Sequence, residues 1–198
     1  LRKEAGIALS KKIQIHLEEL GMPKAVFAVE IHQKKSESGK VICGPNGFDK
    51  IEFTISPNVG EPAKPLKAIA SGGELSRIML AIKSILAETD HIQSLIFDEV
   101  DSGIGGQVAV AVGEHLHNVA QYKQVLCITH LASIAVRADN HLQVNKIVEE
   151  NRTLTRVEPV KDEKRIKEIA RMLSGDTEAK ASISHAEELL KKYSVLSG

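Results

Sequence analysis

Four short stretches carry residue types whose spacing suits phosphate chemistry: Ser71-Gly72-Gly73-Glu74, Asp98-Glu99, Asp101-Ser102 and Thr129-His130. Adjacent glycines let bare backbone approach a ligand, and a serine beside the first free amides of a helix offers donors to an anion, an attraction the helix dipole strengthens. The same residues also fit the capping box Ser-x-x-Glu, which needs no ligand. Asp98 and Glu99 end the apolar run Leu95-Ile96-Phe97. Neighbours on a strand point to opposite faces, but at its frayed end two carboxylates can converge on one ligand. One aspartate holding Mg²⁺, usually through water, and a second carboxylate orienting the attacking water is the division of labour in phosphoanhydride hydrolysis. Acidic residues also end strands for solvation alone, and His130, at the end of Val125-Leu126-Cys127-Ile128, reads either as a solvated cap or as a phosphate sensor.

The elements around these stretches follow from periodicity. From about Arg2 to Leu20, Leu9, Ile13, Leu17 and Leu20 form one narrow stripe at helical spacing, which Gly21 and Pro23 stop; it suits a coiled-coil end or a surface helix. Val26 to Ile31 and Ile51 to Ile55 alternate as half-buried strands of an edge meander, and Ser56 to Pro65 is too proline-rich to be regular. A helix from Glu74 to about Ala87 carries a broad apolar face. Ser94 to Phe97 and Gln124 to Thr129 are continuous apolar runs, the mark of parallel strands buried on both faces, with a helix from about Gln107 to Ala120 between them. That strand, helix, strand order is a βαβ unit, and ligands bind at the carboxyl ends of such strands. A short helix near Leu131 to Val136, a hairpin turning at Glu150-Asn151 and two amphipathic helices separated by Ser174-Gly175-Asp176 complete the pattern.

The 198 residues suit one domain, or a domain with an appendage, at about 150 residues per domain. With 42% hydrophobic residues, 3% aromatics and no tryptophan, the core is aliphatic. Lys plus Arg and Asp plus Glu are 26 each, which argues against a globally basic nucleic-acid binder. Local basic stretches remain at Lys34-Lys35 and at Lys161, Lys164, Arg165, Lys167 and Arg171, the latter diluted by Asp162, Glu163 and Glu168 as on a solvated helix face. Cys43 and Cys127 lack metal-site spacing, and Cys127 reads as a small buried hydrophobe in a reducing compartment. No run approaches the roughly 18 apolar residues of a membrane span, so a soluble, cytoplasmic protein is expected. A start without methionine, already helical in character, suggests a piece of something longer. Gly-x-x-x-x-Gly-Lys-Ser/Thr occurs nowhere, Gly39-Lys40 included.

In order, Ser71-Gly72-Gly73-Glu74 resembles the signature motif of ABC-type ATPases, Leu95-Ile96-Phe97-Asp98-Glu99 a Walker B strand, Val100-Asp101-Ser102-Gly103 a D-loop and Thr129-His130 the switch histidine. Ala70 stands where ABC signatures commonly have leucine, and Glu74 where transporters have glutamine, which favours the SMC-like branch, in particular its bacterial double-strand-break repair members. The resemblance implies an α/β fold: the C-terminal lobe of a P-loop ATPase head, a parallel-sheet core with helices on both faces. Residues 1–20 would be a coiled-coil end or helical lead-in, and residues 21–198 the lobe itself. It further implies that Ser71, Gly72, Gly73 and Glu74 act in trans on ATP held by a second head. Asp98 would serve Mg²⁺, usually through water, Glu99 would orient the hydrolytic water, His130 would contact the γ-phosphate, and Asp101 with Ser102 would bridge two heads. The implied partners are an N-terminal lobe carrying the phosphate loop, a second identical head and DNA at the nucleoid, with no membrane. The implied function is ATP-driven head dimerisation coupled to DNA binding or bridging in recombinational repair, this chain being inactive alone. A chromosome-organising SMC or Rad50-like head and a non-catalytic DNA-bridging module are the alternatives.

Overall fold

The aliphatic stripe read in the first twenty residues does not lie on the surface. In the computed structural model, which describes residues 1–45, 47–58, 60–149, 152–176 and 179–194, helix α1 (Arg2–Glu19) buries Ile13 and Leu17 completely. Leu20, just past its end, is equally buried. α1 packs on an antiparallel sheet of β1 (Val26–Gln33), β2 (Asp49–Ser56) and β3 (Lys64–Pro65). The alternation of β1 and β2 turns Phe27 and Ile55 toward the helix. β3 corrects the expectation of an irregular stretch up to Pro65: Lys64 and Pro65 pair with Ile55 and Thr54. A proline fits there because an edge strand needs no donor on its outer side.

The βαβ unit is present. β4 (Ser94–Phe97), α3 (Gly106–Ala120) and β5 (Gln124–Cys127) bring two parallel strands side by side, Leu95 opposite Val125 and Phe97 opposite Cys127. With α2 (Gly72–Leu86), they close one core in which Ile78, Leu80 and Ala81 meet Val112 and Leu116, and into which Leu95, Phe97 and Val125 point. Each fully buried Leu or Ile contributes about 1.5–3 kcal/mol relative to exposure. The fold class therefore holds as an α/β head lobe on a parallel core, with a difference in coverage: within this chain the helices cover one face of β4–β5. The other face presents Ile96 at 72%, Ile128 at 61% and Leu126 at 46% exposure.

A second apolar cluster joins α4 (Ala132–Ala135), α5 (Asp162–Ser174) and α6 (Lys180–Ser194) through Ala132, Ala135, Ile169, Ala170 and Ala186. Between α4 and α5 the hairpin forms as β6 (His141–Glu149) and β7 (Arg152–Val160); its expected turn at Glu150-Asn151 lies outside the described residues. Two members of the basic stretch are structural. Arg165 Nη2 donates to the carbonyl oxygens of Ala138 (2.6 Å), Val136 (3.4 Å) and Ala135 (3.5 Å), closing the end of α4. Arg171 binds buried Glu168 in a fork, Nε at 2.9 Å and Nη2 at 2.7 Å.

The Arg171 fork, aided by His141 and by a 2.6 Å hydrogen bond from Gln143, holds the Glu168 carboxyl below its ordinary 4.5. The folded protein thus binds fewer protons here than the unfolded chain, so this contribution is complete above pH 4.5 and is lost as pH falls through the lower folded value. Glu168→Gln is expected to cost about 1.5–3 kcal/mol at pH 7, the usual worth of hydrogen bonds to a charged group, and to flatten the loss of stability below pH 4.5. Denaturant unfolding of both proteins from pH 7 downward measures it; parallel pH curves would contradict the assignment.

Candidate functional site

The two glycines that read as a turn are the first turn of α2. Ser71 is its N-cap, and its Oγ accepts the Glu74 amide at 3.4 Å, half of the capping box. Both sequence readings of this stretch are thus compatible: the serine caps the helix, while the amides of the first turn still point outward from its end. The glycines are required by close approach. A Cβ on Gly73 would stand 2.8 Å from Ser102 Cβ and 3.0 Å from the Glu99 carbonyl oxygen, and one on Gly72 would collide with Glu99 Oε2. The Glu99 carboxylate therefore rests against the positive end of α2, where the dipole favours a negative charge.

Glu99 reaches that position through its backbone. Its φ of 57° is left-handed, a conformation that costs a non-glycine residue of order 1–3 kcal/mol and persists only where its surroundings impose it. They do so here: the Glu99 amide donates to Asp98 Oδ1 at 2.9 Å, and its carbonyl accepts the Ser102 amide at 2.9 Å. From α2, Ser76 Oγ donates to the Asp98 carbonyl at 2.6 Å, and buried Arg77 Nη1 donates to the carbonyls of Ser102 (2.8 Å) and Val100 (3.4 Å). The two carboxylates read from the sequence are both exposed at the carboxyl end of β4.

Asp101 is turned inward. It is 5% exposed, and its Oδ2 accepts Thr129 Oγ1 at 2.6 Å and the His130 amide at 2.9 Å, with His130 Nδ1 also at 2.9 Å. Thr129 Oγ1 in turn accepts the Leu131 amide at 3.0 Å. These bonds join the ends of β4 and β5. With Nδ1 beside this carboxylate, Nε2 is the nitrogen of the exposed ring that lies farther from Asp101. Cys127, beside them, has its thiol pushed up to about 12 by burial and by the charges of Asp101 and Asp98, which leaves it protonated and unreactive.

Ser71, Gly72, Gly73, Glu74, Asp98, Glu99, Asp101, Ser102, Thr129 and His130 thus gather along one edge, carried by the α2 N-terminus and the two strand tips. The exposed Asp98 carboxylate is an oxygen donor of the kind Mg²⁺ prefers. Sequence reading missed Ser76 and Arg77. The available signal was a cation at Arg77, between Leu75 and Ile78 on a helix whose apolar face is buried.

No protein-family model matches the chain. Individual proteins do. The DNA repair protein RecN of Treponema pallidum (strain Nichols) is 50% identical over 184 residues, 93% of this chain and 32% of that protein. RecN of Halalkalibacterium halodurans is 43% identical over 96% of the chain and 33% of its own length, and RecN of Bacillus subtilis (strain 168) 42% over 97% and 35%. The chain thus spans about a third of the length of these relatives. Among solved structures, the Smc head domain with a coiled coil and joint from Pyrococcus yayanosii superposes with a TM-score of 0.52 at 19% identity, covering 91% of this chain and 29% of that one, a likeness of fold. With identity of 42% to 50% to these three repair proteins along nearly all of its length, the chain belongs to the RecN family.

Proposed function

We propose that this chain is the signature-bearing part of an ATP-hydrolysing head, in a protein whose nucleotide-driven head pairing acts on DNA during double-strand-break repair. The observation that carries it is the contact of Glu99 with Gly72: the terminus expected to meet the γ-phosphate already draws a carboxylate. Ser71 and the amides of Gly72 and Gly73 contact nucleotide held by a second head, and Glu74 stands in the same turn. Asp98 would hold Mg²⁺, which would supply positive charge against the negative charge developing on the phosphoryl group. Glu99, once drawn off Gly72, accepts a proton from the attacking water and orients it. His130 presents Nε2 to the γ-phosphate, while Asp101 positions that ring and Ser102 lies at the head-to-head face.

The open face of β4–β5 supports the partner reading. Parallel strands are covered on both faces, and a two-stranded sheet is marginal in water. Ile96, Leu126 and Ile128 therefore need apolar cover, which the lobe carrying the phosphate loop supplies in this reading. No helix among the described residues is long and apolar enough to cross a membrane, in keeping with work at the nucleoid in the cytoplasm. The repair role rests on the relatives, named DNA repair proteins.

Two variants of the intact protein test the reading. Glu99→Gln keeps the size of the side chain and removes the base. Turnover is expected to fall about 10²-fold or more, the usual worth of a positioned general base, with nucleotide-bound heads accumulating as dimers in sedimentation. Unchanged turnover would sink the assignment. Asp101→Ala leaves the Thr129 hydroxyl and the His130 amide without their acceptor, at a cost of about 1–3 kcal/mol. The expected result is a kcat at least about tenfold lower with KM nearly unchanged, because ring position matters most in the transition state; a rise in KM alone would place His130 in ground-state binding.

A further inference from the structure

Away from the sheet edge, α1 and α3 meet across a histidine pair that nothing in the proposed ATPase chemistry uses. His115 Nε2 lies 2.9 Å from Glu19 Oε2, and His16 Nδ1 lies 3.3 Å from the same oxygen. The imidazole rings stand edge to face, 4.7 Å between centroids and 86° between planes. The three atoms all fall within 4.8 Å of one another.

Behind His115, Ser84 Oγ lies 2.9 Å from the Leu80 carbonyl and 3.2 Å from His115 Nδ1, so α2 holds this ring, only 7% exposed, with Nε2 turned to Glu19. With the hydroxyl accepting from Nδ1, the ring presents a lone pair at Nε2, the form in which a neutral imidazole ligates a metal.

We propose that His16 Nδ1, Glu19 Oε2 and His115 Nε2 form a binding site for a divalent transition metal, Zn²⁺ by its chemistry, which staples α1 to α3. Two imidazoles and one carboxylate are a three-ligand set that Zn²⁺ takes with water in the fourth position. Imidazole selects against Mg²⁺ and Ca²⁺, which prefer all-oxygen sets. Bonds of 2.0–2.1 Å in a tetrahedron place ligand atoms about 3.3 Å apart. The observed 2.9 and 3.3 Å to the Glu19 oxygen lie within a few tenths of an ångström of this, and the two histidine nitrogens, within 4.8 Å of each other, close by up to about 1.5 Å through rotation of the partly exposed His16 side chain. The Leu80 carbonyl, Ser84 hydroxyl and His115 Nδ1 form the outer chain that fixes a ligating histidine's tautomer. Access is open from the α1 side, where the Glu19 side chain is 51% exposed and that of His16 29%. Binding expels whatever proton the cluster shares.

The test uses the intact protein without nucleotide, in Mg²⁺ buffer, titrated with Zn²⁺ by calorimetry and with Co²⁺ by visible absorption. His16→Ala and Glu19→Gln change the two partly exposed ligands, and circular dichroism in EDTA confirms that both variants fold. The expected result is one more Zn²⁺ bound per chain in the parent than in either variant. Co²⁺ bands of a four-coordinate site should appear in the parent and vanish in both. Ser84→Ala is expected to weaken Zn²⁺ about 10–100-fold, as outer-shell changes do. Identical titrations of parent and variants, or no Zn²⁺ bound by the parent, would overturn the site and leave the contact as a shared proton.

Discussion

The arrangement along the strand tips depends on one buried cation. Arg77 is 7% exposed and projects from the second turn of α2 beneath the loop that follows β4, where Nη1 holds two carbonyls of that loop. Burial pulls its proton affinity down while Glu74 opposes the pull, and its Nε, also buried, has no hydrogen-bond partner. A guanidinium nevertheless stays charged. Placing one there costs several kcal/mol, which the fixed carbonyl oxygens and the nearby Glu74 charge offset. The terminus of α2 and the loop carrying Glu99 and Asp101 are thereby one unit. Any larger residue at Gly73 would drive into Ser102 and part them.

Much of this was legible because the residues concerned act locally. A run of three apolar residues ending in Asp98-Glu99 and a second ending near His130 define strand tips whatever surrounds them, and β4 and β5 do pair in parallel. The cap at Ser71 was equally readable from Ser-x-x-Glu. What could not be read were the long-range choices. An unbroken apolar run looks the same whether its second face is covered by this chain or by other protein, so the exposure of Ile96, Leu126 and Ile128 left no mark in the sequence. Charge runs mislead in part: Arg171 is exposed as read, although forked to Glu168, whereas half-buried Arg165 closes α4. Nor did any local pattern show that Asp101, taken from the resemblance as a bridge between heads, also accepts Thr129 Oγ1 and the His130 amide of its own chain.

Burial also settles what α1 can transmit. Ile13 and Leu17 share one core with Ile78 and Leu80 of α2 and with Phe97 at the tip of β4, all at 5% exposure or less. Gly6 lets α1 approach β1 so closely that a Cβ there would touch Val29 at 3.3 Å. Interiors packed to this density respond to displacement as solids do, by moving together or by losing contacts outright. α1 therefore cannot slide on the sheet as a surface helix would without opening the core beneath it. Since α2 is tied through Arg77 to the loop of Glu99, a force along α1 meets the sheet edge through two rigid connections: a hydrophobic core that resists separation and a buried cation that resists shear.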